Sequence, residues 1–140
     1  MPAINWLAQE ATSLTGMEVE VSIGAIPSLL PETQLVLFRV AQEALNNVQR
    51  HSGASRASIT VESNGAEVRV TISDNGRGFK LPRQLSDFAA QGKLGLTGMA
   101  ERVRLVGGQL DVSSQLDRGT KLTVRAPISL GNQGPASPAQ

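Results

Sequence analysis

EVRVTISDNGRGF, residues 67–79, is the stretch of sequence that decides the fold. Its first half alternates apolar and polar residues, which is the period of a β-strand with one buried face. Its second half places an acid, Asp74, close to two glycines, Gly76 and Gly78. Glycine lets a ligand approach the backbone, and a carboxylate at a strand end can accept hydrogen bonds from an amino group. A ligand site and a simple glycine-rich turn are both compatible with these residues alone.

The neighbouring segments predict a sheet built mostly from hairpins. Asn64-Gly65 separates ASITVES, residues 57–63, from the strand that leads to Asp74, and Asn-Gly between two alternating runs is a strong hairpin signal. QLDVSSQ and GTKLTVRAPI, residues 109–115 and 119–128, predict a second hairpin. MEVEVSI, residues 17–23, predicts one further strand.

Three segments have apolar residues at helical spacing and predict helices: residues 3–14, 32–51 and 96–107. Leu14 belongs to the apolar stripe of the first. Thr33 is the predicted N-cap of the second, and Gly53 its stop. The element order predicts an α+β fold, a two-layer sandwich in which helices cover one face of a mixed, mostly antiparallel sheet.

The composition excludes several classes of function. The 140 residues suffice for one domain, and a formal charge of +1 with 3% aromatic residues disfavours nucleic acid as a partner. Without cysteine there can be no disulfide, thiolate metal site or cysteine nucleophile, and His51 is the single histidine. The sequence contains no apolar run of membrane-spanning length and no signal-peptide pattern. The lack of cysteine does not fix the compartment but is compatible with a reducing cytoplasm, which is the expected location.

A second polar cluster, QEALNNVQRH, lies within the long helical segment, residues 42–51. Glu43 and Asn47 are four residues apart and therefore neighbours on a helix surface, and α-helical spacing places Arg50 on the same face. A carboxylate can accept a proton, and an amide oxygen can ligate Mg²⁺. Taken alone, the cluster is better interpreted as a solvated helix face.

The third cluster is GKLGLTGMAER, residues 92–102. Three glycines precede or open a helix, where exposed N–H groups can bind phosphate, and Lys93 adds a positive charge. The spacing matches neither a Walker A loop nor a dinucleotide fingerprint, and alone it is also typical of a loop before a helix. Together, the three clusters supply the parts of a magnesium–nucleotide site.

In order, spacing and residue type, these motifs resemble the ATP-binding catalytic domain (HATPase_c, the GHKL or Bergerat fold) of two-component sensor histidine kinases, closest to the nitrate-sensor-like subfamily. FRVAQEALNNVQRHSGA resembles the N box, and SDNGRGF the first glycine box. GLTGMAERVRLVGGQL resembles the second glycine box, and DRGTKLTVRAPI the closing hairpin. The resemblance covers residues 17–128.

The resemblance implies roles for individual residues. Asp74 would bind the adenine amino group, Asn47 would ligate Mg²⁺, and Glu43 would act as the catalytic residue that activates the attacking nucleophile. Residues 79–94 would form the ATP lid. Further nucleotide-binding positions are implied at Arg50, His51, Gly76, Gly78, Lys93, Gly95, Leu96, Gly98 and Thr120.

The resemblance also implies an organisation and partners. Residues 1–16 would join a dimerisation region, residues 17–129 would form the catalytic domain, and residues 130–140 a disordered tail. The phosphoacceptor histidine would lie on a separate dimerisation domain, because His51 belongs to the N box. We therefore expect a monomeric, nucleotide-binding part of a longer kinase, membrane-anchored or not, that cannot phosphorylate itself alone and signals to a response regulator indirectly.

Three alternatives stay open on the sequence. An anti-sigma-factor-type serine kinase would share the fold and a similar N box. A nucleotide-binding module without catalysis would bind the same ligand, since a fold alone does not fix a function. A structural domain would bind no nucleotide.

Overall fold

The computed structural model describes residues 2–77 and 95–128. The helices are α1 (Pro2–Thr15), α2 (Pro31–Asn47), a π-helix (Val48–Ser52) that continues α2, and α3 (Leu96–Leu105). The strands are β1 (Glu18–Ile23), β2 (Arg56–Ser63), β3 (Glu67–Asp74), β4 (Gln109–Ser114) and β5 (Thr120–Pro127). The predicted lid, the predicted tail, Gly78 and Lys93 lie outside the described residues.

The described strands form one five-stranded sheet in the order β1-β2-β3-β5-β4. β1 runs parallel to β2, and the other three neighbouring pairs are antiparallel. The two predicted hairpins are the β2–β3 and β4–β5 pairs. The prediction of a mixed, mostly antiparallel sheet is therefore confirmed.

The core lies between the sheet and one layer of helices. Buried residues alternate along the central strands, as on Val68, Val70 and Ile72 of β3, so each central strand turns one face to the core. α2 packs on β3 and β5, while α1 packs on β1 and α3 packs on β4. The other face of the sheet carries the polar residues, and the predicted two-layer α+β architecture is confirmed.

α2 begins one turn earlier than its predicted cap. Leu30 is the N-cap residue and Pro31 opens the helix, where its fixed φ and missing N–H cost nothing. Thr33 lies inside the first turn and is buried, so its prediction as the N-cap was wrong. Gly53 ends the helical segment in the left-handed conformation, φ +64°, as predicted.

The β2–β3 turn is shifted by one residue from the predicted Asn-Gly pair. Asn64 N–H donates to Glu67 O at 3.2 Å, so Gly65 and Ala66 form the two-residue loop. Asn64 Oδ1 accepts the N–H groups of Ala66 and Glu67 at 3.0 and 2.8 Å. Asn64 thus organises the turn from its first position through its side chain.

The buried stripe of α1 ends about one turn earlier than the sequence predicted. Ile4, Leu7, Ala8 and Ala11 are buried, whereas Leu14 is 73% exposed. Leu14 lies in the last turn of the helix, at the margin of this stripe, so its assignment to the buried face was wrong. Within residues 2–77 and 95–128, no helix is both long and apolar enough to cross a bilayer.

Two leucines of α2 test how much the core contributes to stability. Leu37 is 1% exposed and Leu35 is 56% exposed. We expect Leu37→Ala to lower the free energy of unfolding by about 2–5 kcal/mol, because it removes buried methyl groups and leaves a cavity. Leu35→Ala should change it by less than about 0.5 kcal/mol. Urea denaturation measures both, and equal losses would contradict this orientation of α2.

Candidate functional site

Asp74 is the last residue of β3, and its carboxylate lies on the helix-covered side of the sheet. It shares the alternation of the buried residues Val70 and Ile72 and is itself partly buried. Gly76 N–H donates to Asp74 Oδ1 at 2.8 Å, and the backbone N–H of Thr120 donates to the same carboxylate. Strand and turn together therefore hold the acid in a defined orientation.

The environment of Asp74 acts on its ionisation in two opposite ways. Burial raises the pKa of the carboxyl above its ordinary value, because desolvation disfavours the charged form. The N–H groups of Gly76 and Thr120 lower the pKa in part, since they stabilise the carboxylate. Desolvation is the larger effect, so Asp74 holds its proton more tightly than an exposed aspartate does.

β5 supports Asp74 from the neighbouring strand. Thr120 is the register partner of Asp74, and its Oγ1 lies 2.8 Å from Ser114 Oγ on β4. Ser114 Oγ also donates to Gly119 O at 3.2 Å. Gly119 packs against the backbone of Asp74, where a Cβ would collide with the Asp74 carbonyl oxygen. Glycine at 119 and a small hydroxyl at 114 thus permit this close approach.

Glu43 and Gly95 form a second part of the site, where α2 meets the start of α3. A Cβ on Gly95 would lie 3.3 Å from Glu43 Oε2, so the carboxylate lies against the N-cap of α3. Gly95 has φ +64° and no side chain with which to cap the helix. The positive end of the α3 dipole therefore adjoins an acid and a backbone that a ligand can approach.

Asn47 lies one helical turn after Glu43 and is the last residue of α2. Its side-chain oxygen Oδ1 is buried. Beyond Asn47 the chain turns as a π-helix, so the α-helical spacing used to place Arg50 on the Glu43 face no longer applies. Arg50 is exposed within this π-helix, which also contains the backbone of His51.

The other predicted positions differ in their surroundings. Gly76 is buried in the turn after β3. Leu96 is 3% exposed and belongs to the core, while Gly98 is exposed with open space at its Cβ position. The described structure therefore brings Gly76 and Thr120 together with Asp74, and Gly95 together with Glu43. We call these two groups the Asp74 cluster and the Glu43 cluster. α2, which packs on both β3 and α3, connects the clusters.

A groove of about 390 Å³ lies at the ends of β1, β2 and β3. Most of its lining residues lie between the buried residues of each strand and therefore point to the other side of the sheet. The groove thus opens mainly on the face without helices. An exposed Arg56–Glu18 ion pair of 3.2 Å lines it, and such pairs contribute little stability. The lining residues are Glu18, Glu20, Arg56, Ala57, Ser58, Ser73, Asp74 and Asn75.

Ser114 and Asn75 both support the Asp74 cluster, and neither was predicted to have a role in the site. A signal for Ser114 was available, because it shares the alternation of Leu110 and Val112 and so occupies a core-facing strand position. A polar residue at such a position requires a hydrogen-bond partner. Asn75 lay inside the quoted motif, but its contacts are to Ser55 and Arg56, which nothing in the local sequence indicates.

Comparison of the sequence with known proteins gives matches across this region. The profile of the family "Histidine kinase-, DNA gyrase B-, and HSP90-like ATPase" matches residues 32–130. Sensor histidine kinase MctS of Rhizobium johnstonii is 37% identical over 128 residues, which are 91% of this chain and 27% of MctS. Oxygen sensor histidine kinase NreB of Staphylococcus carnosus is 36% identical over 98 residues, 70% of this chain and 27% of NreB.

Comparison of the structure gives the same fold. The blue-light activated histidine kinase EL346 of Erythrobacter litoralis superposes with a TM-score of 0.75 at 22% identity, over 93% of this chain and 42% of EL346. At that identity the likeness concerns the fold. The chain spans about a quarter of the length of the curated relatives MctS and NreB.

Stability should depend on pH through Asp74. Because folding raises the pKa of this carboxyl, its protonated form contributes stability that is fully present below the ordinary aspartate pKa of about 4. That contribution is lost as the pH rises through the raised pKa of the folded state. Asp74→Asn removes the titration, so the unfolding free energy of the wild type should fall relative to that of the variant as the pH rises above about 4.

Urea denaturation at a series of pH values measures this difference. Asp111→Asn is the matched control, since Asp111 is an exposed aspartate that pairs with Arg125 on the face without helices. A gap between the wild type and Asp74→Asn that stays constant with pH would show that Asp74 is not perturbed.

Proposed function

Because the chain belongs to the histidine kinase-, DNA gyrase B- and HSP90-like ATPase family, as its sequence predicted, we propose that it is the ATP-binding catalytic domain of a sensor histidine kinase. It binds Mg-ATP and donates the γ-phosphoryl group to a histidine on a separate dimerisation domain. The observation that carries the proposal is the Asp74 carboxylate, fixed at a strand end by the N–H groups of Gly76 and Thr120.

The Asp74 cluster suits the adenine end of the nucleotide. An ionised carboxylate has about four acceptor positions, so two backbone N–H groups leave capacity for an amino group. Adenine presents an amino group at C6, whereas guanine presents a carbonyl oxygen there. Two acceptors facing each other would repel, so the fixed acid selects adenine over guanine. Thr120, held by Ser114, borders the same cluster.

The Glu43 cluster suits the phosphate end. The N-cap of α3 has no side chain, and first-turn N–H groups with the helix dipole favour phosphate oxygens. Arg50, His51, Leu96 and Gly98 belong to the elements around this end, and Gly78, Lys93 and the lid are proposed to complete the nucleotide site.

Asn47 is the proposed protein ligand of Mg²⁺. Its amide oxygen is a hard donor of the kind that Mg²⁺ accepts, and it is buried at the end of α2. A single protein oxygen fits the cation, because nucleotide-bound Mg²⁺ takes most of its ligands from phosphates and water. When bound, Mg²⁺ neutralises charge on the phosphates during transfer.

Glu43 is the proposed catalytic residue. α2 holds its carboxylate against the start of α3, beside the place assigned to the phosphates. There it can accept a hydrogen bond from the N–H of the acceptor imidazole and take that proton as the other, unprotonated ring nitrogen attacks the γ-phosphorus and ADP leaves. The rest of catalysis comes from positioning, since phosphoryl transfer demands little covalent chemistry of the protein.

The proposed partners are those that the family resemblance implies. The acceptor histidine belongs to the dimerisation domain of the parent kinase, and the phosphoryl group passes from it to a response regulator in the cytoplasm. On its own, the chain is a monomer that binds ATP and gains no phosphoryl label.

Nucleotide titration of the chain and of Asp74→Asn tests the adenine assignment. By isothermal titration calorimetry with Mg²⁺ present, the wild type should bind ATP and ADP more tightly than GTP. Asp74→Asn should weaken ATP binding roughly 10- to 100-fold, the worth of a hydrogen bond to a charged group, and leave GTP binding almost unchanged. Asp111→Asn should bind as the wild type does. Equal wild-type affinity for ATP and GTP would refute adenine recognition by Asp74.

Phosphoryl transfer to an added dimerisation domain tests Glu43. With γ-labelled ATP and Mg²⁺, Glu43→Gln should reduce labelling of that domain roughly 100-fold or more while changing ATP affinity by less than about threefold. Glu62→Gln, at an exposed site on β2, is the matched control and should keep full activity. Undiminished labelling by Glu43→Gln would exclude Glu43 as the base, and stable label on the isolated chain would exclude the requirement for a separate acceptor domain.

A further inference from the structure

Asn75, directly after Asp74, makes four hydrogen bonds to a two-residue segment at the start of β2. Its Oδ1 accepts the N–H groups of Ser55 and Arg56 at 3.1 and 3.0 Å. Its Nδ2 donates to Ser55 Oγ at 3.1 Å, and its backbone N–H donates to Arg56 O at 3.2 Å. One exposed side chain thereby holds two backbone N–H groups of a segment about twenty residues away.

Ser55 and Arg56, which Asn75 holds, come shortly after the helical segment that carries Glu43 and Asn47. The π-helix ends at Ser52, Gly53 reverses the chain in the left-handed conformation, and two residues later Ser55 is bonded to Asn75. β3 ends at Asp74, one residue before Asn75. A covalent and hydrogen-bonded path from Asp74 to the end of α2 therefore runs through the side-chain amide of Asn75.

Arg77 adds a second contact between the turn after β3 and the end of the π-helix. A Cβ on Gly53 would lie 3.7 Å from Arg77 Nη2, so the guanidinium lies over the end of the π-helix. A cation there is favoured by the negative end of the helix dipole. Arg77 O also accepts the N–H of Asp117, in the β4–β5 turn. Arg77 thus links the turn after β3 to the end of the π-helix and to the β4–β5 turn.

From these contacts we propose that Asn75 is a positioning residue: it holds the Asp74 cluster and the C-terminal end of α2 at a fixed separation, so that one nucleotide can engage both. The inference rests on the proposed function, because it assigns adenine to Asp74, the metal to Asn47 and the phosphates to the start of α3 beside Glu43. Asn75 itself need not touch the nucleotide.

Loss of this fixed separation should affect a ligand that contacts both clusters more than a ligand that contacts one. Adenosine engages the Asp74 end alone, so its affinity does not depend on how far that end lies from α2. Mg-ATP engages both ends, and its second set of contacts is favourable only when the two ends are held at the right distance. Loss of the Asn75 amide should therefore weaken Mg-ATP more than adenosine.

Three variants separate these effects. Asn75→Ala removes the acceptor of two N–H groups, Asn75→Asp keeps an oxygen acceptor in its place, and Ser55→Ala removes only the hydroxyl that Nδ2 contacts. Isothermal titration calorimetry with Mg-ATP and with adenosine gives the ratio of the two affinities for each chain. A purely structural defect would lower the fraction of binding-competent protein and leave this ratio unchanged.

We expect Asn75→Ala to weaken Mg-ATP binding roughly tenfold and adenosine binding by less than about threefold, so the ratio falls. Asn75→Asp should recover most of the ratio, and Ser55→Ala should match the wild type. If Asn75→Ala does not fold, Asn75→Ser, whose side chain is too short to reach both N–H groups, replaces it with the same expected ratio.

The outcomes separate this inference from the proposed function. A wild-type chain that binds both ligands, with an alanine variant whose ratio is unchanged, would overturn the positioning role and leave the proposed function intact. A wild-type chain that binds neither ligand would overturn the proposed function, and the positioning role with it.

Discussion

The register between β3 and β5 is the constraint on which the candidate site depends. It sets Thr120 opposite Asp74, so that a backbone N–H meets the carboxylate, and it brings Gly119 against the Asp74 backbone. A shift of one residue would turn Asp74 to the other face of the sheet and bury Ser73 in its place. Core packing of Val70 and Ile72 against the helices therefore also fixes the acid.

Most of the fold could be predicted from the sequence, because each strand has one buried and one polar face. Alternation on either side of Asn64-Gly65 was enough to predict the β2–β3 hairpin. The parallel pairing of β1 with β2 depends on where α2 packs, which no local pattern encodes. The π-helix at Val48–Ser52 has no pattern either, since Val48 is its one apolar residue and one residue defines no spacing. Thr33 looked like a cap because threonine suits that role in isolation.

Residues of the candidate site could be predicted where the chemistry suits only a few residue types. Residues that support the site through contacts to other elements were harder to predict. Asp74, Glu43 and the glycines were singled out because their three clusters together supply the parts of a nucleotide site and resemble the motifs of one family. Ser114 and Asn75 were missed because their partners lie on other elements, at Thr120 and Ser55. The Asp74 cluster lies at the end of a strand, and the Glu43 cluster lies where two helices meet. Only tertiary packing determines how close these two places are.

Among the described strands, β1 and β4 lie at the two ends of the sheet, and each offers unpaired backbone groups to other chains. Both carry charge on their polar face: Glu18 and Glu20 on β1, and Asp111 on β4. A second β1 aligned with the first would bring these glutamates close together, and like charges opposite each other are destabilising. The same residues that make one face polar thus act as gatekeepers against aggregation through exposed strand edges.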